Sequence, residues 1–246
     1  MSHGNSGLAN FLLIHGACHG AWCWHRITPL LEAAGHAVSA PDLPGHGADK
    51  TPMAALSLDL YADTVVDAAR GASEPVVLVG HSMAGAVISR AAEQIPEAIA
   101  QLVYLTAYLP RSDESLASLA RRDTEALTNS ERIIVDETDC FSIPPDVARR
   151  AFYQDADDDT FTYALERIGP EPVRIFRDKA TFTPTRFGTV PRAYIHCTAD
   201  MAIGYRLQQE MVAMTPCDPV VTLSSGHSPF LTMPEALAAE LSALAE

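Results

Sequence analysis

Gly80-His81-Ser82-Met83-Ala84-Gly85 places a hydroxyl between an apolar run, Val76-Val77-Leu78-Val79, and a helix-forming run over 86–92. Strand, sharp turn and helix is the setting in which a serine Oγ stands exposed at the top of a sheet. Small residues around it let strand and helix approach closely. The helix N-terminus beside it favours developing negative charge. One place departs from the usual G-x-S-x-G pattern: two positions after the serine stands Ala84, with Gly85 next. A glycine-containing turn with no chemistry has the same local pattern, so the motif needs companions.

Three further strand ends supply them. Phe11-Leu12-Leu13-Ile14 runs directly into His15-Gly16-Ala17. An H-G-x turn after an early strand suits a backbone donor facing an oxyanion. Tyr194-Ile195-His196-Cys197 leads to Thr198-Ala199-Asp200, and Val220-Val221-Thr222-Leu223 leads to Ser224-Ser225-Gly226-His227. Serine, acid and histidine thus follow one another, each just past a strand's C-terminal end. Such an order allows Ser82 to be the nucleophile, His227 its general base and Asp200 the group that orients the imidazole. The competing acids fit less well. Asp42 lies in the turn-forming Pro41-Asp42-Leu43-Pro44-Gly45-His46-Gly47, and Asp218 precedes its strand. His81 is expected to point away from the pocket, and His196 to be a core histidine inside a strand.

Positioning these residues takes a sheet. Short, continuously apolar runs predict strands over 10–14, 37–40, 76–79, 102–105, 193–197 and 220–223, as in a parallel sheet covered on both faces. Helical patterns lie between them over 24–34, 58–70, 84–94, 205–214 and 234–244. From 106 to 192 no core strand is expected, and so long a stretch is not a loop. Helical pieces over 115–127, 145–153 and 158–168 predict a helical cap inserted after the fourth strand. The division expected is 1–111 and 189–246 for the core and 112–188 for the cap. The acidic run Asp155-Ala156-Asp157-Asp158-Asp159 reads as a solvated helix entry, because no Gly-centred calcium loop accompanies it.

With these motifs in place, the chain resembles the plant methylesterase and hydroxynitrile lyase branch of the α/β-hydrolase superfamily, with its bacterial esterase relatives. The resemblance rests on residues 15–24, 30–38, 40–47 and 77–83, and continues at 186–190, 194–200 and Gly226-His227. It is weakest between about Ser112 and Ala180. It implies an α/β-hydrolase fold with a six-stranded, mostly parallel sheet. In that branch the equivalents of Ser82, Asp200 and His227 form the triad, and the N–H groups at Ala17 and Met83 form the oxyanion hole. The lyases carry a lysine directly after the histidine, where this chain has Ser228. The resemblance therefore implies hydrolysis of small methyl esters or methyl carbamates in preference to cyanohydrin cleavage, with a cofactor-free haloperoxidase, an acyltransferase and a non-catalytic ligand receptor on the same fold as the alternatives. His19, Trp22, Tyr108, Phe152 and Phe161 are candidate substrate contacts, and Phe141 and Phe182 are further aromatics that could wall the pocket or only pack.

Composition narrows the partners. The 246 residues carry a formal charge of −14, and the only lysines are Lys50 and Lys179. Nucleic acid and anionic membranes are therefore not expected partners. The expected partner is a small ester or carbamate, with homodimerisation left open. The polar, Gly-rich first ten residues and the four-residue apolar run after them predict no signal peptide or spanning helix. Five irregularly spaced cysteines suggest reduced thiols in a cytoplasm. His15, Cys18, His19, Cys23 and His25 are metal-ligand types, but their spacing matches no zinc pattern, so neither a metal nor a cofactor is expected.

Overall fold

A computed structural model describes residues 8–129, 133–135, 138–179 and 181–245; residues 1–7, for which no element is expected, lie outside that set. Along the chain run β1 (Asn10–Ile14), α1 (Thr28–Ala33), β2 (Ala37–Ser39), α2 (Leu58–Arg70), β3 (Val76–His81), α3 (Ala84–Gln94) and β4 (Ile99–Leu105). An inserted segment follows, with α4 (Leu116–Ala120), β5 (Ile133–Val135), β6 (Cys140–Ser142), α5 (Pro145–Ala151), α6 (Asp158–Leu165), β7 (Glu171–Pro172) and α7 (Val173–Arg177). The chain then closes with β8 (Arg192–Cys197), α8 (Tyr205–Met214), β9 (Val220–Leu223), α9 (Pro229–Thr232) and α10 (Pro234–Leu244). No helix among the described residues is long and apolar enough to cross a membrane.

Six strands form one parallel sheet in the order β2-β1-β3-β4-β8-β9. Its centre is apolar on both faces: every residue of β3 is buried. Chain order reverses direction between β1 and β3, and ligands of open α/β sheets bind outside the carboxyl ends of the strands at such a point. Ile14 pairs in register with Gly80, so the turns after these two strands emerge side by side. That pairing alone brings His15-Gly16-Ala17 next to Ser82. Helix ends follow their sequence signals: the Ser57 side chain accepts the Leu60 N–H at 3.1 Å to start α2, and Pro234 opens α10.

Differences from the expected elements are informative. The helix predicted over 24–34 begins only at Thr28, because Ala21–Trp24 forms a tighter 3-10 turn that buries Trp24. The helix predicted over 115–127 stops at Ala120. Asp123 then turns inward, accepting the N–H groups of Glu125 and Ala126 and, at 2.7 Å, that of Gly204. Most of all, the insertion is not purely helical: β5, β6 and β7 form a small antiparallel sheet. Strands of two or three residues are too short to leave a period-2 pattern.

The departure at Ala84 has a structural counterpart. A Cβ at Gly80 would come within 2.9 Å of the Ala84 carbonyl oxygen, and one at Gly85 within 1.9 Å of the Tyr108 carbonyl oxygen. The tight approach after the serine thus falls on Gly85, where the chain leaving β4 crosses α3. Gly85→Ala is expected to destabilise the fold by about 3 kcal/mol or more, since the clash is with backbone and no rotamer relieves it. The clash is propagated to the serine turn, because the Tyr108 N–H binds the Ser82 carbonyl at 3.0 Å. Chemical denaturation checks this; a variant as stable as the parent would show that α3 and the 106–109 segment separate easily.

Candidate active site

Ser82 sits between β3 and α3 with φ +56, in the left-handed region that side chains other than glycine rarely adopt. Two hydrogen bonds hold it there: its N–H binds the Leu105 carbonyl at 3.3 Å, and its carbonyl takes the Tyr108 N–H. Strain of this kind persists only where the surroundings over-determine it, and it marks functional turns. α3 begins without a side-chain cap. Nor is the Met83 N–H or the Ala17 N–H donated to a protein acceptor among the described residues. Met83 directly follows Ser82 and is buried, and Ala17 lines the pocket together with Ser82.

Asp200 and His227 form the second half of the arrangement. His227 Nδ1–H donates to Asp200 Oδ2 at 2.7 Å. The same oxygen accepts the Thr106 hydroxyl, and Oδ1 accepts the N–H groups of Ala202 at 2.6 Å and Ile203 at 2.9 Å. A carboxylate with four donors needs no solvent, and Asp200 is buried. With Nδ1 engaged, His227 is left with Nε2 as its free nitrogen. Thr106 escaped the sequence reading; its signal was its place directly after β4, between the strands that end in Ser82 and lead to Asp200.

The turn after β1 is braced by two histidines. His15 Nδ1–H donates to the Gly16 carbonyl at 2.9 Å while its Nε2 accepts the Leu43 N–H at 3.0 Å. Because a trans peptide points its C=O and N–H in opposite directions, holding the Gly16 carbonyl directs the Ala17 N–H away from it. His19 Nδ1–H donates to the Ala17 carbonyl at 2.8 Å, and its Nε2 accepts the Tyr153 hydroxyl at 2.6 Å. Burial holds the His19 imidazole down to about pKa 4, so it is neutral at pH 7. His81, against the His227 ring at 4.5 Å, donates its Nε2–H to the His227 carbonyl at 2.9 Å. It steadies the loop and does not line the pocket.

A pocket opens above these groups, lined by Ala17, Cys18, Ser82 and His227 from the sheet side. Tyr108, just after β4, and Thr128, Phe141, Ile143, Phe152 and Phe176 of the inserted segment form its other walls. Of the aromatics named from sequence, Tyr108, Phe141 and Phe152 face it, and Phe152 also stacks on the His227 ring at 5.2 Å. His19, Trp22 and Phe161 do not. Trp22 stacks on His19 at 5.2 Å, Phe161 packs against Tyr153 under the Arg149 guanidinium, and Phe182 pairs with Phe187 at 5.0 Å. Thr128, Ile143, Phe176 and the pair Ala202 and Ile203, in the loop after Asp200, are lining residues that the reading missed. The acidic run also divides. Asp157 caps α6 by accepting the Thr160 N–H at 2.7 Å, whereas Asp155 accepts the Gly226 N–H at 2.8 Å and so grips the His227 loop. Among the described residues, no group of three or more His, Cys, Asp or Glu side chains could hold a metal ion, and the five cysteines are free thiols.

Comparison with known proteins places this geometry. The profile of the alpha/beta hydrolase family matches residues 11–240. The chain belongs to that family. Among its relatives is methyl jasmonate esterase 1 of Vitis vinifera, 33% identical with 96% of this chain and 97% of the relative covered. Methylesterase 2 of Arabidopsis thaliana is 30% identical, with 96% of each chain covered. A solved pyrethroid hydrolase from Sphingobium faniae superposes with a TM-score of 0.86 at 28% identity, covering 97% of each chain. Polyneuridine aldehyde esterase superposes with a TM-score of 0.87 at 25% identity, covering 97% of this chain and all of that one. This α/β hydrolase is an enzyme of the carboxylic ester hydrolase class. The sequence profile spans the inserted segment as well as the sheet.

Proposed function

We propose that this hydrolase is a serine carboxylesterase that cleaves small methyl esters or methyl carbamates through an acyl-enzyme. The observation that carries the reading is the 2.7 Å bond from His227 to Asp200, which leaves Nε2 available in the pocket where the strained Ser82 stands. Ser82 Oγ attacks the carbonyl carbon as His227 Nε2 takes its proton. The carbonyl oxygen, now an oxyanion, receives the N–H groups of Ala17 and Met83. His227 returns the proton to the departing methoxy oxygen, giving methanol and the acyl-serine. Water, deprotonated by the same nitrogen, then releases the acid. Asp200 keeps the imidazole in the required tautomer and stabilises its charged form.

Wall chemistry sets the acyl group. Among the described residues no lysine or arginine lines the pocket, and six of the lining residues are aromatic or branched aliphatic. A neutral, apolar acyl or carbamoyl group fits such walls, and a second carboxylate on the substrate would be buried without a partner. Ser228 follows His227, so no ammonium stands there to receive cyanide. A fluorophosphonate probe is expected to label Ser82 stoichiometrically, as mapped by peptide mass. In parallel assays, methyl and aryl esters are expected to turn over and mandelonitrile to release no cyanide. Cyanide release without ester hydrolysis, or a probe adduct elsewhere than Ser82, would reverse the assignment.

A further inference from the structure

Glu171 is a fully buried acid that the chemistry above does not use. It lies on β7 of the inserted segment, where it pairs with the pocket-wall residue Phe141. Its carboxylate gathers donors from three separate parts of the chain. Tyr61 of α2 donates its hydroxyl to Oε1 at 3.1 Å. His46 Nε2 lies 3.2 Å from Oε2 and 2.8 Å from the Tyr61 hydroxyl. The third donor is the N–H of Cys18, 3.0 Å from Oε2.

Cys18 follows Ala17, the proposed oxyanion donor, and its backbone is unusual. The His19 N–H closes a turn on the Gly16 carbonyl at 3.4 Å, with Ala17 and Cys18 at the central positions. Cys18 has φ +66. A positive φ at the third position defines a turn that normally demands glycine there. Cysteine is strained in that conformation, and flipping the Ala17–Cys18 peptide would relieve it. Two contacts oppose the flip: Glu171, from the insertion, takes the Cys18 N–H, and His19 Nδ1–H donates to the Ala17 carbonyl at 2.8 Å. A flipped peptide would swing the Ala17 carbonyl dipole at the wall of the pocket where negative charge develops.

We propose that Glu171 is a positioning residue for the oxyanion hole, holding the Ala17–Cys18 peptide in its strained orientation through the Cys18 N–H. The inserted segment is then part of the catalytic assembly as well as a pocket wall. This inference rests on the serine esterase reading. Oxyanion contacts strengthen in the transition state, so their loss appears in kcat more than in KM.

The test compares Glu171→Ala, Glu171→Gln and Tyr61→Phe with the parent enzyme on a methyl ester. Rates are divided by the active fraction, titrated with a fluorophosphonate. Glu171→Ala is expected to lower per-site kcat about 10- to 100-fold, with KM within about threefold. Affinity for an aryl boronic acid, whose tetrahedral adduct mimics the oxyanion, should fall by a similar factor, while inhibition by the product acid stays unchanged. Glu171→Gln keeps an acceptor for the Cys18 N–H and is expected to restore per-site kcat to within about fivefold of the parent. Tyr61→Phe leaves Oε2 in place, so it should lower stability without lowering per-site kcat. Should the alanine variant not fold, Glu171→Met, which fills the space without an acceptor, carries the same expectation. Parent-like per-site kcat and boronate affinity in the alanine or methionine variant would overturn the proposal. So would an equal per-site loss in Tyr61→Phe, which marks a disturbance of the whole cluster. If the parent itself neither labels at Ser82 nor hydrolyses esters, the esterase reading falls first and this role falls with it.

Discussion

Ser82→Ala is expected to cut ester turnover by about 10⁴- to 10⁶-fold while leaving the fold intact, the loss seen when a triad nucleophile is removed. The alanine methyl occupies the same turn, whose backbone is held by Leu105 and Tyr108 and not by the hydroxyl. Thermal stability should therefore stay close to the parent's, and could rise slightly if Ala tolerates φ +56 no worse than Ser does. Substrate binding should survive, because the apolar walls and the N–H groups of Ala17 and Met83 are untouched. Residual turnover would reflect those donors alone. The measurement is kcat on a methyl ester beside probe labelling of the same preparation. A variant that kept more than a tenth of parental kcat would remove Ser82 from the chemistry and, with it, the acyl-enzyme route.

Acid should destabilise this protein steeply between pH 6.5 and pH 4. Three buried histidines surround the site: His15, His19 and His81. Burial lowers the pKa of all three, with the neighbouring His46 and His227 adding to the effect on His15 and His81 respectively. Each is therefore neutral in the folded chain across a range where the unfolded chain binds a proton. Stability rises with pH wherever the unfolded state holds more protons, so it is complete above about pH 6.5 and is lost as pH falls below that value. For His19, lowered to about 4, the cost at pH 5 is on the order of 2 kcal/mol. His15 and His81 act in the same direction. Protonation would also take from His15 Nε2 and His19 Nε2 the lone pairs that accept the Leu43 N–H and the Tyr153 hydroxyl, and so would disturb the site along with the fold. Urea denaturation at pH 7 and pH 5 checks this. His19→Gln, which loses the titration, should flatten part of the dependence, and an unchanged slope would mean that His19 is solvated in the native state.

Eight of the ten α-helices among the described residues, and all six core strands, were legible because their signals are local. Runs such as Val76–Val79 and caps such as Ser57 act within a few residues. Trp22, His19 and Phe161 show where this reasoning stops. An aromatic side chain has the same sequence signature whether it walls a pocket or packs behind it, and here all three pack behind it, around Tyr153 and Tyr163. Phe176 had a signature no better than theirs, yet it faces the pocket.

What the sequence determined by itself is the set of groups at the strand ends, Ser82, Asp200, His227 and the Ala17 turn, because strand, turn and helix preferences are written in neighbouring residues. The tertiary structure alone decided what holds them. Thr106 reaches Asp200 across 94 positions, Asp155 reaches Gly226 across 71, and Glu171 reaches Cys18 across 153. No local pattern encodes such contacts. The first depends on β4 and β8 lying side by side in the sheet, and the other two on the path of the inserted segment across it, which no residue's own preference sets.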